Sequence, residues 1–504
     1  MSANQHSRKL SRRIFLGLVG AGGAYVVADI FLKGPLSNLV KSEFAGKQVA
    51  TASTTSVSKM PPAIRDFRWE PTRVLNGKVY DAVLSFAVES DSAITDLSAV
   101  LSDYGGTIPA RAYPAETSKT LQLASSTQAS PSIGTYSGQV TNLKGGKRYQ
   151  ASISVTNSAG KSDANFETPY VREFENIAGM DNVLVGASYH PWWENPCRYY
   201  CHWDELGADY AKDTTPLGTP LLGLYNSNDP LVISKHIDWA TGYGIDSFWC
   251  SYNGSSMADS YRMAPLMANA LVKDIKIALL YETAVALGGP NEDLSNVSLT
   301  DPSTYSLLEF HFRKMATTYF AHPSYLKIDG RPVVYIYASV EIGGDILTPI
   351  RKLRESVKES AGFNMYLIGD EVQLAENPKT NRLKPFDAIT SYNHHNSAED
   401  HDYSEYAKWQ NAAHYAGVEL VPSVSPGYDD RNLCKFGVRK TCSYVPKSPQ
   451  GFASRLKMAL QFVDRSRMLM IVSWDEWAEN SFVEPTAEDG FNYLQTLRDA
   501  LAGH

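Results

Sequence analysis

The segment 471–479 reads Ile-Val-Ser-Trp-Asp-Glu-Trp-Ala-Glu and sets three carboxyls, Asp475, Glu476 and Glu479, beside two indoles, Trp474 and Trp477. The apolar run before it, 468–472, reads as a buried strand, so these side chains are expected at a strand's mouth. Glycosidic chemistry uses such a set: one carboxyl protonates the leaving oxygen while another acts as base or nucleophile. Indole faces add flat apolar area on which sugar rings stack. A charged strand end with aromatic packing fits the same residues, so the elements that position the segment must decide.

The chain has 504 residues, long enough for two domains and a leader. Its 43% hydrophobic and 20% charged residues fit a soluble globular protein, and a net charge of −7 argues against a nucleic-acid partner. Residues 1–41 hold Ser11-Arg-Arg-Ile-Phe-Leu16, similar to a twin-arginine export signal, with an apolar stretch to about Leu32. No clean small-x-small cleavage site follows, so both a removed signal and a retained N-terminal membrane anchor stay open. Residues 42–60, rich in Ser, Thr and Ala, read as a flexible linker. Export places the chain in the periplasm, at the cell surface or outside the cell.

Five cysteines suit an exported protein. Cys434–Cys442 and the tighter Cys197–Cys201 are the candidate disulfides, and Cys250 reads as a buried thiol. His394, His395 and His401 come nearest to a metal set, but no zinc spacing is present, and neither metal nor cofactor is expected.

Residues 61–170 alternate short β-type runs with turns, the pattern of an all-β immunoglobulin-like sandwich, with strands expected at 79–89, 97–101, 138–142 and 148–157. Residues 143–160 are similar to the closing strands of a fibronectin type III module. Within 180–504, apolar runs alternate with helix-length segments. Strands are expected at 183–189, 246–251, 276–281, 332–337, 365–369, 388–392, 419–423 and 469–473. Helices are expected at 231–243, 260–273, 305–320, 345–360, 404–415, 450–462 and 491–501, with a weaker one at 373–384. Eight such units suit an α/β fold, a (β/α)8 TIM barrel. An open doubly wound sheet is disfavoured because no Gly-rich phosphate turn follows the first strand.

Barrel sites lie at the C-terminal strand ends. Those ends supply Tyr189, Trp192, Trp193, Trp249, Tyr252, Glu282, Tyr337, Tyr392 and the 474–479 cluster. The loop after the first strand adds His202 and Trp203, and its length marks it as functional.

With these residues in view, the barrel resembles glycoside hydrolase family 99, the endo-α-mannosidases, and the related family 71. The similar elements are Ser188-Tyr-His-Pro-Trp-Trp-Glu-Asn-Pro196 with His202-Trp203, Ser247-Phe-Trp-Cys-Ser251, Tyr281-Glu282, His322-Pro-Ser-Tyr325, Gly330 to Tyr337, and Trp474 to Glu479 followed by Glu484-Pro485. The resemblance implies that Glu476 is the base toward the sugar 2-hydroxyl, which attacks C1 to give a 1,2-anhydro sugar. It implies that Glu479 is the acid for the leaving group, that Glu282 lies against the −1 sugar, and that Trp249 stacks on substrate. Asp475, Ala478 and Asn480 stand where the family has Asn, His and Gly. The Glu-Trp-Ala-Glu form also occurs in family-99-like domains of polysaccharide biosynthesis.

The expectation is therefore an exported, retaining, endo-acting α-glycosidase with a glycan or polysaccharide partner. Substrate contacts are expected from Tyr189, Trp192, Trp193, His202, Trp203, Trp249, Tyr252, Glu282, Tyr337, Tyr392, Trp474 and Trp477. A non-catalytic carbohydrate-binding protein and an enzyme of surface-polysaccharide maturation are the alternatives.

Overall fold

Period-two burial marks the N-terminal half: in Arg148–Asn157 every second side chain is buried, and Lys78–Glu89 follows the same rule over most of its length. The computed structural model describes residues 60–104, 118–130, 133–195, 202–205, 218–289, 292–372, 381–392, 403–435, 440 and 442–503. The export segment, nearly all of the linker, Cys197 and Cys201, the three histidines at 394, 395 and 401, and most of the 373–384 helix lie outside the described residues.

Two four-stranded antiparallel sheets face each other. One runs Ala63–Leu75, Lys78–Glu89, Ile133–Val140, Leu123–Ser130; the other runs Lys119–Thr120, Ile94–Tyr104, Arg148–Asn157, Gly160–Glu167. Their inner faces meet in a core of Leu84, Phe86, Leu101, Tyr149, Ile153 and Val155. Tyr149 sits at the start of its strand, and its hydroxyl donates to the Lys144 carbonyl at 2.7 Å. That is the corner arrangement of immunoglobulin-like sandwiches.

The barrel strands are Leu184–Tyr189, Ser247–Tyr252, Lys276–Glu282, Arg331–Tyr337, Tyr366–Asp370, Ala388–Thr390, the split pair Glu419–Leu420 and Ser423–Val424, and Met468–Ile471. They lie side by side in chain order, and the last pairs with the first. Glu419–Leu420 pairs with the sixth strand and Ser423–Val424 with the eighth, so the two sheet ends are halves of one run. Pro422, with no N–H to give, falls between the halves. On either side Val421 N–H donates to the Ile389 carbonyl and Met470 N–H to the Pro422 carbonyl, both at 2.9 Å. The parallel sheet curls closed, which fits a (β/α)8 barrel.

Several helices start where the sequence supplies a cap. Asp229, Asp301 and Ser448 each accept a first-turn backbone N–H, and each is followed by proline. The single helix expected over 260–273 is instead a π-turn, Ala258–Met263, then Ala264–Ala268 and a 3-10 turn, Val272–Asp274. Pro265 interrupts the hydrogen-bond ladder at that point.

The sandwich is tied to the barrel's lower rim, at the N-terminal strand ends. Arg172, 2% exposed, meets Asp274 at 2.9 Å and Asp238 at 3.5 Å. Asp238 also accepts the Tyr170 hydroxyl at 2.9 Å and the Phe174 N–H at 3.2 Å. Lys235 reaches Glu173 at 3.3 Å, and on the sandwich side the buried Lys147 reaches Asp103 at 2.7 Å. Gly145 lies so close that a Cβ there would sit 1.8 Å from the Arg172 carbonyl oxygen.

Candidate active site

Strand parity decides which strand-end residues reach the lumen. In the third strand Ile277, Leu279 and Tyr281 face the helices, whereas Ala278 and Leu280 face inward, and the alternation carries Glu282 to the mouth. By the same rule Ser251, Tyr337, Asp370 and Tyr392 point inward. Tyr189, Cys250 and Tyr252 belong to the outer layer against the helices.

At the mouth, Tyr392 is the hub. Its hydroxyl lies 2.9 Å from His190 Nε2, and its ring meets Tyr337 edge-on at 5.1 Å. Burial, then the negative charges of Glu479 and Glu476, hold its phenol well above the usual range. Asp370 accepts the backbone N–H of Tyr392 at 3.1 Å and of Ala338 at 2.9 Å, tying three strand ends together. Burial lifts the Asp370 carboxyl to about 6.

Glu282 faces the same space. Burial pushes its carboxyl up to about 7; the Ser251 hydrogen bond and the Arg262 charge oppose the rise, and Glu479 adds to it. Arg262 comes from the π-turn and donates to Ser251 Oγ at 3.2 Å. Such turns recur at functional positions. His190 is pushed down to about 3 by burial, with Arg262 and His202 adding, so its ring is neutral. The His190 ring stacks on Trp192 at 4.5 Å, and His202 stacks on Trp192 at 4.6 Å.

Glu476, 6% exposed, precedes the turn Trp477–Glu479, and Glu479, 8% exposed, is its last residue. Glu476 caps that turn, its N–H donating to Ser473 Oγ at 2.7 Å and its Oε1 accepting the Ala478 N–H at 3.3 Å. Asn480 ends the turn at φ 51°. Asparagine tolerates this left-handed region better than other side-chain-bearing residues, which is how it stands where a glycine is expected. Asp475 turns away from the mouth: its Oδ1 accepts the His190 N–H at 2.7 Å, and burial beside Glu484 drives its carboxyl well above the usual range.

The structure therefore gathers Glu282, Tyr337, Tyr392, Glu476 and Glu479, with Trp192 and His202 alongside, and withdraws the rest. Trp249 is fully buried in the lumen, where Gly186 leaves room: a Cβ there would lie 2.3 Å from the indole nitrogen. It plugs the barrel and offers no face to a sugar. Trp474 and Trp477 are also fully buried, Trp474 beside Phe248 and His236, Trp477 stacked on Phe482 at 3.8 Å. Trp193 and Trp203 pack on each other at 4.4 Å, and the Trp193 N–H donates to the Asp475 carbonyl at 2.9 Å. The Tyr189 hydroxyl meets His236, and that of Tyr252 donates to Asp259. These seven aromatics support the mouth without lining it. His190, Ser251, Arg262 and Asp370 were passed over as site residues, although parity counted from Glu282 or Tyr337 flags Ser251 and Asp370.

Cys434 and Cys442 are bonded, and Cys250 is a buried thiol. Among the described residues no group of side chains could hold a metal ion, and no helix is long and apolar enough to cross a membrane.

Residues 303–497 match the family model described as Glycosyltransferase WbsX. The chain is 25% identical over 205 residues to the Uncharacterized protein WxcX of Xanthomonas campestris pv. campestris (strain B100), spanning 36% of this chain and only 28% of that protein. It is 22% identical over 341 residues to the Glycoprotein endo-alpha-1,2-mannosidase of Mus musculus, spanning 60% of this chain and 68% of the relative. The chain is thus similar in sequence to an endo-alpha-1,2-mannosidase over most of its length. Among solved structures, the GH99 endo-alpha-mannosidase from Bacteroides thetaiotaomicron aligns with a TM-score of 0.48 at 18% identity, covering 64% of this chain and 97% of that one.

Proposed function

We propose that the barrel is a family-99-like retaining glycosidase acting on an α-linked, mannose-type glycan outside the cytoplasm. The observation that carries this reading is the convergence of Glu282, Glu476 and Glu479 on Tyr392 at the C-terminal strand ends. Glu476 takes the proton of the sugar 2-hydroxyl while that oxygen attacks C1. The bond from C1 to the leaving oxygen breaks, and Glu479 protonates that oxygen. Water then opens the 1,2-anhydro ring at C1 with Glu479 accepting its proton, O2 regains a proton from Glu476, and the anomeric configuration is retained overall. Glu282, poised near neutrality, accepts a hydrogen bond from the sugar held in the −1 position, and Tyr392 donates toward the glycan from the opposite side. Ser11-Arg-Arg-Ile-Phe-Leu16 would direct export.

A second reading is favoured by the description of the matching family model as a glycosyltransferase. A sugar hydroxyl in place of water would open the same intermediate and give transfer during assembly or trimming of a surface polysaccharide.

A panel of α-linked manno-oligosaccharides with reducing-end analysis tests both. Glu476→Gln and Glu479→Gln should each abolish turnover with the fold intact. Near-wild-type turnover in either would refute the assigned roles. Longer products formed when acceptor sugars are added would favour transfer, and binding without cleavage would remove the enzyme reading.

A further inference from the structure

Behind the acidic turn lies a buried polar group that the chemistry above does not use. The Glu484 carboxylate, 2% exposed, collects the Tyr225 hydroxyl at 2.7 Å, the Trp477 N–H at 3.1 Å and His236 Nε2 at 3.1 Å. On its other side the His236 ring meets the Tyr189 hydroxyl through Nδ1 at 3.1 Å. The Glu484 backbone is itself fixed, its N–H donating to the Trp474 carbonyl at 2.9 Å. The loop at Tyr225, the helix carrying His236 and the turn after strand eight therefore meet at one carboxylate, and the strand-one end joins them through His236.

We propose that Glu484 is a positioning residue: by holding the Trp477 indole from behind, it fixes the turn that presents Glu476 and Glu479 to the glycan. This rests on the glycosidase reading above. Trp477 opens the turn directly after Glu476, and its own N–H donates to the Asp475 carbonyl at 3.0 Å. Stacking on Phe482 fixes the plane of the indole. Its N–H, shared between Glu484 at 3.1 Å and, at 3.2 Å, the Tyr225 hydroxyl that Glu484 itself holds, fixes its rotation within that plane. A tilt of the indole would swing the backbone on either side of it, where the two acids are attached. A misplacement of about 1 Å at reacting groups is enough to cost on the order of a hundredfold in rate.

The chemistry also explains why a carboxylate occupies the position. Tyr225 O–H and Trp477 N–H are both donors aimed at one Glu484 oxygen, Oε2, and a carboxylate accepts at either oxygen. A glutamine has one acceptor oxygen and turns its amide N–H toward either these two donors or His236.

Glu484→Gln separates positioning from mere support. Expected for the folded variant on a cleaved manno-oligosaccharide are a kcat at least tenfold lower and a KM within twofold of wild type. Glu484→Asp, which keeps the charge, should recover part of the loss. Trp477→Phe keeps the stacked ring and removes the N–H, so it should lower kcat likewise. The double variant Glu484→Gln/Trp477→Phe should be no worse than the poorer single. Full additivity, or an unchanged kcat with only a lower Tm, would overturn the proposal. Should Glu484→Gln fail to fold, Tyr225→Phe removes one donor from the same carboxylate and takes its place.

A readout independent of turnover is the Trp477 indole N–H resonance, protected from exchange in the wild type and exposed in Glu484→Gln. Equal exchange in both would sink the anchoring role even if no glycan on the panel is cleaved. Retained activity in Glu476→Gln or Glu479→Gln would instead sink the glycosidase reading, leaving the indole result standing.

Discussion

At the joint between the sandwich and the barrel's lower rim, three buried cations, Lys147, Arg172 and Lys235, are each matched to an acid within 3.3 Å. At the mouth the balance tips the other way. Glu282, Asp370, Glu476 and Glu479 crowd together, and Arg262 is the cation whose charge bears on Glu282. Both groups are withdrawn from water, and burial lifts a carboxyl in each, Asp238 below and Asp370 above to about 6, with Glu282 reaching about 7. At the joint the acids lie directly on cations, which fits a structural role. At the mouth the carboxyls face Tyr392 and the space before it, and sites of chemistry are where such shifts are tolerated. The same physical situation, charge away from water, thus serves two purposes according to what it faces.

The comparison can be broken most forcefully at Glu479. Glu479→Gln should lower glycan turnover by roughly 10²- to 10⁴-fold, while Tm holds or rises because one negative charge leaves the neighbourhood of Glu282. A large fall in Tm would place Glu479 with the structural charges. Arg172→Ala should do the reverse, leaving Asp238 buried without its cation and with only the Tyr170 and backbone donors, at a cost of about 3 kcal/mol in chemical denaturation, with kcat of the folded fraction unchanged. A wild-type Tm in that variant would undo the joint.

Glu282→Gln should sharpen the contrast through pH. With its carboxyl at about 7, the wild-type kcat/KM profile should bend near neutrality, and the variant should lose that limb. A limb that persists would belong to another group. Stability follows from the sign of the shift. A raised carboxyl pKa contributes stability below the unfolded value that is lost as pH rises through about 7. The variant should therefore gain on wild type at pH 8 and not at pH 4. The smallest effect is expected at Asp475, whose burial favours the protonated form. Asp475→Asn keeps the shape without the ionisation cost, so Tm at neutral pH should rise by on the order of 2 °C, with activity retained.

The barrel strands were readable because each is an apolar run bounded by turns, and their expected limits fall within a residue or two of those found. The split of the seventh strand was not, since Pro422 acts through a missing ladder bond that periodicity does not register. In the sandwich the long first strand Ala63–Leu75 escaped, because its charged and exposed alternation resembles a loop. The acidic turn was legible from residue types alone. The aromatic wall was not: Trp249, Trp474 and Trp477 look like sugar platforms in sequence, yet each is wholly buried. An indole can serve packing or ligand equally; the side of the strand and the depth below its end both decide, and Trp249 faces the lumen but lies below the mouth. His190 and Tyr189 illustrate the margin: adjacent residues, one at the mouth and one among the helices.

One consequence of the sandwich's attachment concerns reach. Met60 lies at the end of the sandwich remote from the barrel, its N–H donating to Asp91 and its carbonyl accepting from Asn157, whereas Asn76 and Tyr80 touch the barrel-side connector at Glu175. Lys78–Glu89 spans that length with 12 residues, about 40 Å at the rise of an extended strand. The β-domain thus sets about 40 Å of folded chain between Met60 and the lower rim, on the face of the barrel opposite the acidic opening.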